Sequence, residues 1–289
     1  MIKLYSYGKI NLFLDIEGKL SNGYHLIKSV MQSIELHDEI LLKNTDKDGI
    51  IIKCSNPDIP VDEANTCFKA ASEIKEKYKI YSGVIIEINK YIPSEAGLGG
   101  GSSNCASVIR GLNTLWDLNM SENEMWKIGL KIGADVPFCL KGGTYLVEGI
   151  GEKLNRINDF VWNDILLVKP DFSMSTSFVY NKLVADYYNS YADSKILNHI
   201  NSDDFKAAAM SVSNTLEKTV ESFNPKINDI KKLMIQNGAL SSCMTGSGSA
   251  VFGLYSGKAD LDCAYGKIAS IYPNTFKTRT ITEGTKLFI

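Results

Sequence analysis

The stretch "IPSEAGLGGGSSN", residues 92–104, carries four glycines and three serines. Glycine loses more conformational freedom on folding than any other residue. A cluster of it is therefore either a loose linker or a loop whose backbone must come close to something. The flanks decide between the two. Upstream, "GVIIEINKYI" (83–92) reads as a strand. Downstream, Cys105, Val108, Ile109, Leu112 and Trp116 recur at the spacing of an amphipathic helix, which predicts a helix start near Ser102 or Ser103. A linker would not be pinned between two regular elements. The N–H groups of a helix start lack intrahelical partners and carry the positive end of the helix dipole. Small residues let those groups close on phosphate oxygens, and serine hydroxyls add donors or a magnesium ligand. The run reads as a phosphate cradle. It is not a Walker loop, since no lysine follows the glycines, nor GxGxxG, since the sixth position counted from Gly97 is Ser102.

Outward from the loop, "KINLFLDI" alternates Ile10, Leu12, Leu14 and Ile16 with Lys9, Asn11, Phe13 and Asp15, the pattern of a half-buried strand. "SVMQSIEL" and "DEILLKN" flank a short polar stretch and suggest a hairpin. A helix is expected over 65–79, and Ser121 with Glu124 forms a capping-box signature. Beyond residue 160 the order changes. A strand, "DILLVKP", precedes helical stretches at 176–186, 193–200, 203–221 and 225–236, the last stopped by Gly238. Strands follow at "LSSCM" and "SAVFGLY", then a helix at "DLDCAYGKIASIY" and a strand near "FKTRTI". That order matches a split β-α-β arrangement. The chain reads as an α+β protein of two domains, 1–160 and 161–289.

The chain's 289 residues, 44% hydrophobic and 22% charged, allow two domains with ample cores. The 31 basic and 33 acidic residues leave no basic field, so no nucleic-acid partner is expected. Six cysteines at 54, 67, 105, 139, 243 and 263 show no CxxC spacing, and histidines 25, 37 and 199 stand apart, so no protein metal site is expected. The start, "MIKLYSYGKI", lacks the apolar run of a signal peptide, and no segment is long and apolar enough for a bilayer. A cytoplasmic protein with free thiols, acting on a small molecule, is the expectation.

"PSEAGLGGGSS" resembles the central glycine-rich motif of the GHMP kinases. "GKINLFLDIEG" (8–18) is similar to that family's first motif and "MTGSGSAVFG" (244–253) to its third. The resemblance runs from residue 5 to about 255. It implies an N-terminal domain like the second domain of ribosomal protein S5, a ferredoxin-like C-terminal domain, and phosphoryl transfer from ATP with Mg2+. "NGYH" (22–25), "IGADVPF" (132–138), "EGIGE" (148–152) and "STSFVY" (175–180) resemble one branch of the family. That likeness implies, as the phosphoryl acceptor, the 2-hydroxyl of a cytidine diphosphate-linked methylerythritol.

On this resemblance the catalytic pair falls on Lys9 and Asp135. The ATP loop falls on Pro93, Ser94, Glu95, Ala96, Gly97, Leu98, Gly99, Gly100, Gly101, Ser102 and Ser103, with Asn65 near the adenosine. Tyr24 and His25 fall on the cytidine pocket, and Asn11, Thr176 and Tyr180 beside the substrate. Asn22 and Asn104 stand where aspartate is usual, and Thr245 where serine is common.

From the residues alone other readings stay open. Period-2 geometry puts Lys9 on the same face as Asn11, and spacing favours a solvated face. Asp135, between small residues and Pro137, fits a helix cap. Tyr24 fits a half-buried aromatic, and Asn65 an N-cap.

Overall fold

The computed structural model describes residues 1–191 and 194–288. The first half of the chain builds a sheet backed by helices. β1 (Ile2–Lys19) and β2 (His25–Thr45) pair antiparallel through a turn at Ser21–Tyr24. There Gly23 takes φ +91 and Asn22 accepts the Tyr24 N–H. β3 (Ile50–Cys54), α1 (Thr66–Tyr78), β4 (Gly83–Asn89), α2 (Gly100–Leu115), α3 (Glu122–Ile132), α4 (Val136–Lys141), β5 (Thr144–Gly149) and β6 (Lys153–Arg156) follow.

β2 is one continuous strand of 21 residues, not the expected hairpin. The polar stretch that suggested a turn is absorbed by a register shift, because Tyr7 pairs with His37 and Lys9 with Ser33. β1 also departs from the half-buried pattern. Leu14 and Ile16 join the core that also takes the buried face of α2, while Ile10, Leu12 and Phe13 join a second core. Bulges along β1 and a second layer of chain on its far face bury both sets, so Lys9 and Asn11 are buried as well.

The helices over the sheet form for legible reasons. Asn65 caps α1 by accepting the Cys67 N–H, and Ser121 and Glu124 close a reciprocal capping box on α3. α2 lies tight on the sheet at Gly111, where an added Cβ would sit 2.4 Å from Leu42 Cδ1.

The second half holds β7 (Ile165–Val168), α5 (Thr176–Lys182), α6 (Ile196–Asn201), α7 (Phe205–Met210), β8 (Ser213–Asn214), α8 (Thr215–Phe223), α9 (Lys226–Gln236), β9 (Ala239–Met244), β10 (Val251–Tyr255), α10 (Lys258–Ile268), β11 (Thr275–Thr278) and β12 (Thr285–Phe288). β7, β9, β10 and β11 form an antiparallel sheet in the order β11-β7-β10-β9, with helices in the two crossovers. That is the ferredoxin-like split β-α-β order. The helix expected over 203–221 is two helices divided at β8, which pairs with β1 at Leu14. For the helix expected from 193, residue 193 lies outside the described residues. β12 returns to the first sheet beside β1. All six cysteines are unpaired. Among the described residues no helix is long and apolar enough to cross a membrane.

Candidate active site

A cleft of about 1000 Å³ opens where the two sheets meet, walled by the glycine-rich loop. α2 begins at Gly100, two to three residues before the expected start, so Gly100, Gly101 and Ser102 form its first turn. The first intrahelical bond runs from Ser103 N–H to Gly99 O, which leaves the three preceding amides for an anion. Gly99 caps the helix at φ +70, and an added Cβ there would sit 2.9 Å from Lys9 Cγ. The start of α1 joins the same wall, since the Thr66 hydroxyl donates to Gly101 O at 3.0 Å. Two positive helix ends therefore converge on one side of the cleft.

The loop's ends are held from beneath. Asp38, fully buried, accepts the N–H groups of Tyr91 (2.7 Å) and Ile92 (2.8 Å) and the Asn104 amide (2.8 Å), and it pairs with Lys90. Lys90 also donates to Asn104 Oδ1 at 3.1 Å. A buried carboxylate needs such a set of donors, and this set fixes the loop on both sides of the glycines. Lys90 reaches the cleft wall.

Lys9 is not on a solvated face. It is 4% exposed, and its ammonium donates to Asn11 Oδ1 at 2.7 Å and lies 3.7 Å from Asp135 Oδ2. Asp135 occupies the N-cap position of α4 but makes no side-chain cap bond, so its carboxylate is left free toward the cleft. A carboxylate that sits at a cap without capping is available for other chemistry.

The third glycine loop closes this arrangement from the second sheet. Gly97 (φ +73) and Gly246 (φ +57) meet so tightly that a Cβ on Gly97 would sit 2.1 Å from Thr245 O. A Cβ on Gly246 would sit 3.2 Å from Lys9 Nζ. Ala250 N–H donates to Ala96 O, and the Thr245 hydroxyl accepts Asn11 N–H at 3.0 Å. Only glycine permits this approach. Gly246 and Ser247, quoted in the third motif but not assigned to the site, line the cleft. So does Lys90, whose partnership with Asp38 across the fold leaves no local signal.

The other expected residues are distributed as follows. Pro93 through Ser102 line the cleft. Ser103 lies beneath it, donating to Tyr7 O and accepting from Ser6. Asn65 lines the cleft, yet its amide is engaged by the α1 cap and by Pro60 O. Tyr24 is 60% exposed at the far end, not half-buried. His25 is buried beside it, stacked at a tilt on Tyr180 with ring centroids 5.2 Å apart, so Tyr180 faces His25 and not Tyr24. Among the described residues His25 Nε2 has no hydrogen-bond partner. Burial, with Lys19 nearby, holds the imidazole below its ordinary pKa and so favours its neutral form. Burial and the Asp135 charge push the Tyr180 phenol upward. Thr176 starts α5 and bonds Ser247 Oγ at 2.9 Å. Among the described residues no cluster of three His, Cys, Asp or Glu could hold a metal.

The arrangement can hold an anion on helix amides beside an ammonium–carboxylate pair, with an aromatic pocket at the opposite end. The family pattern "GHMP kinases N terminal domain" matches residues 65–143, and "GHMP kinases C terminal" matches 198–274. The chain is 41% identical to the 4-diphosphocytidyl-2-C-methyl-D-erythritol kinase of Clostridioides difficile, over 99% of this chain and 97% of that protein. It is 43% identical to the enzyme of the same name from Acetivibrio thermocellus, over 97% and 99%. A solved 4-(cytidine 5'-diphospho)-2C-methyl-D-erythritol kinase superposes with TM-score 0.83 at 25% identity, covering 96% of this chain and 98% of that one. A homoserine kinase from Cytophaga hutchinsonii shares the fold, with TM-score 0.79 at 20% identity, covering 99% and 97%.

Proposed function

The chain belongs to the GHMP kinases, and within them to the 4-diphosphocytidyl-2-C-methyl-D-erythritol kinases, and from that membership we infer that it transfers the terminal phosphoryl group of ATP to the 2-hydroxyl of 4-diphosphocytidyl-2-C-methyl-D-erythritol. The products are the 2-phosphate and ADP, a step of the non-mevalonate route to isoprenoid precursors. The observation that carries the assignment of the chemistry is the meeting of Lys9 and Asp135 at 3.7 Å beside the free amides of α2.

Phosphoryl transfer is mainly positioning and charge stabilisation. The amides of Gly100, Gly101 and Ser102 bind the nucleotide phosphates. Asp135 accepts and orients the proton of the attacking hydroxyl. The Lys9 ammonium, held by Asn11, keeps a positive charge where negative charge develops. As the oxygen–phosphorus bond forms, the bond to ADP breaks and the hydroxyl proton passes to the carboxylate. Tyr24 presents a ring face to cytosine, and His25, neutral and with Nε2 free, supplies a hydrogen bond that stacking alone lacks. Thr176 and Tyr180 line the path between that pocket and Asp135.

Magnesium would suit the Ser102 hydroxyl of this wall together with phosphate oxygens. When bound it neutralises phosphate charge. The proposal includes a cytoplasmic site of action and the division into domains 1–160 and 161–289, with β12 of the second laid on the sheet of the first.

A coupled ADP-release assay tests the activity. ADP release is expected with the cytidyl alcohol and only at background level with homoserine, mevalonate or galactose. A higher kcat/KM for any of those three overturns the substrate assignment.

A further inference from the structure

Asn214 is buried in β8 and belongs to neither glycine loop. Its side-chain nitrogen donates to two carbonyls of the third loop, Met244 O and Gly246 O, each at 2.8 Å. Both amide protons are thereby used. Its oxygen accepts Leu216 N–H at 2.9 Å and caps α8. One turn on, Glu217 Oε2 accepts Met244 N–H at 2.8 Å, and its other oxygen is paired with Lys231. The stretch "SNTLE" (213–217) therefore grips the Met244–Gly246 backbone at three points. β8 in turn is fixed to β1, the strand that carries Lys9 and Asn11, through the Leu14–Asn214 pairing.

The gripped loop reaches the reacting groups. Gly246 packs on Lys9, Thr245 bonds Asn11 N–H, and Ser247 bonds Thr176. A backbone with φ +57 at Gly246 and φ +81 at Gly248 has little stiffness of its own. We propose that Asn214 is a positioning residue for phosphoryl transfer, holding the third glycine loop against Lys9 through its two carbonyl bonds. The inference rests on the kinase reading above and adds a residue that acts on Lys9 through the loop.

Capping and clamping are separable in one side chain. Serine and aspartate both cap well, but neither can donate to two carbonyls. The test compares the parent with Asn214→Ser and Asn214→Asp, measuring kcat, KM for both substrates and Tm. It repeats the kinetics in a Lys9→Ala background by single-turnover transfer from labelled ATP. A small misplacement of reacting groups can cost on the order of a hundredfold. The expected result for Asn214→Ser is therefore a kcat about ten- to hundredfold lower. Tm falls by some degrees because two buried carbonyls lose their donor while the protein still folds, and both KM values stay within about threefold. In the Lys9→Ala background the same substitution changes the rate by less than about twofold.

A parent-like kcat, a loss confined to KM, an equal loss in both backgrounds, or failure of both variants to fold overturns the proposal. A parent inactive on the cytidyl alcohol sinks the kinase reading instead. An active parent indifferent to position 214 sinks only this inference.

Discussion

Gly97→Ala probes the closure of the two glycine loops, and its cost can be worked from the backbone. Position 97 has φ +73, a left-handed conformation that costs an L-residue about 1–2 kcal/mol. The added Cβ would sit 2.1 Å from Thr245 O and 3.1 Å from Gly248 N, both backbone atoms that cannot rotate away. Overpacking of this kind costs about 1–3 kcal/mol. The two terms together predict a destabilisation of about 2–5 kcal/mol. Part of the strain is relieved by parting segment 93–99 from 244–248. That moves the Gly100–Ser102 amides, so ATP affinity falls as well. Gly101→Ala is the control in the same loop. Its φ is not left-handed, and the nearest atom to an added Cβ is Thr66 Oγ1 at 3.9 Å. Alanine is favoured over glycine inside a helix by up to about 1 kcal/mol, so stability is unchanged or raised. Urea unfolding gives both stabilities, and titration calorimetry gives ATP binding. A Gly97→Ala protein with parental stability and ATP affinity would refute the reasoning. So would a Gly101→Ala protein destabilised as much as Gly97→Ala.

Asp135→Asn conserves volume and removes the charge 3.7 Å from Lys9, so turnover is expected to fall about 10²–10⁴-fold with ATP binding kept; turnover within a few-fold of the parent would remove Asp135 from an essential role. Tyr24→Ala removes an exposed ring whose stacking on a base is worth about 1–3 kcal/mol, or about five- to hundredfold in kcat/KM for the cytidyl substrate. KM for ATP should not move, and loss of ATP affinity instead would put Tyr24 at the adenosine end. His25 is held below 6.5 by burial, so the unfolded chain takes up its proton before the folded protein does. Its contribution to stability is complete above that pH and is lost as pH falls through the folded value. Urea midpoints measured downward from pH 7 should decline more steeply in the parent than in His25→Asn, and parallel slopes would count against the neutral imidazole.

Local chemistry made part of this fold readable in advance. The Ser121–Glu124 box, the Asn65 cap and the strand–helix–strand–strand–helix–strand order after residue 160 each depend on neighbours close in the chain. What escaped depends on distant partners. Alternation in "KINLFLDI" puts Ile10, Leu12, Leu14 and Ile16 on one face, but the bulge between Asn11 and Phe13 sends Leu14 and Ile16 to a different core from Ile10 and Leu12, and a second layer buries Lys9. The polar stretch in β2 resembles a turn until Asp38 is seen folded inward to hold Lys90, Asn104 and two loop amides. The helix expected over 203–221 breaks at Ser213–Asn214 because those two residues pair with β1 and grip the third loop. At the site, the glycine run and the Lys9–Asn11 face were legible from residues. The partnership of Lys9 with Asp135 came from family resemblance, and geometry supplied the distance.

Transfer of the phosphoryl group to one particular oxygen is read from the product of a reaction with 13C-labelled 4-diphosphocytidyl-2-C-methyl-D-erythritol and ATP. Phosphorus–carbon coupling in the product's NMR spectrum locates the new phosphate. A single monophosphate attached at C2, formed in step with ADP, is expected. A phosphate on another carbon's oxygen, or ADP released with the alcohol unchanged, would contradict it.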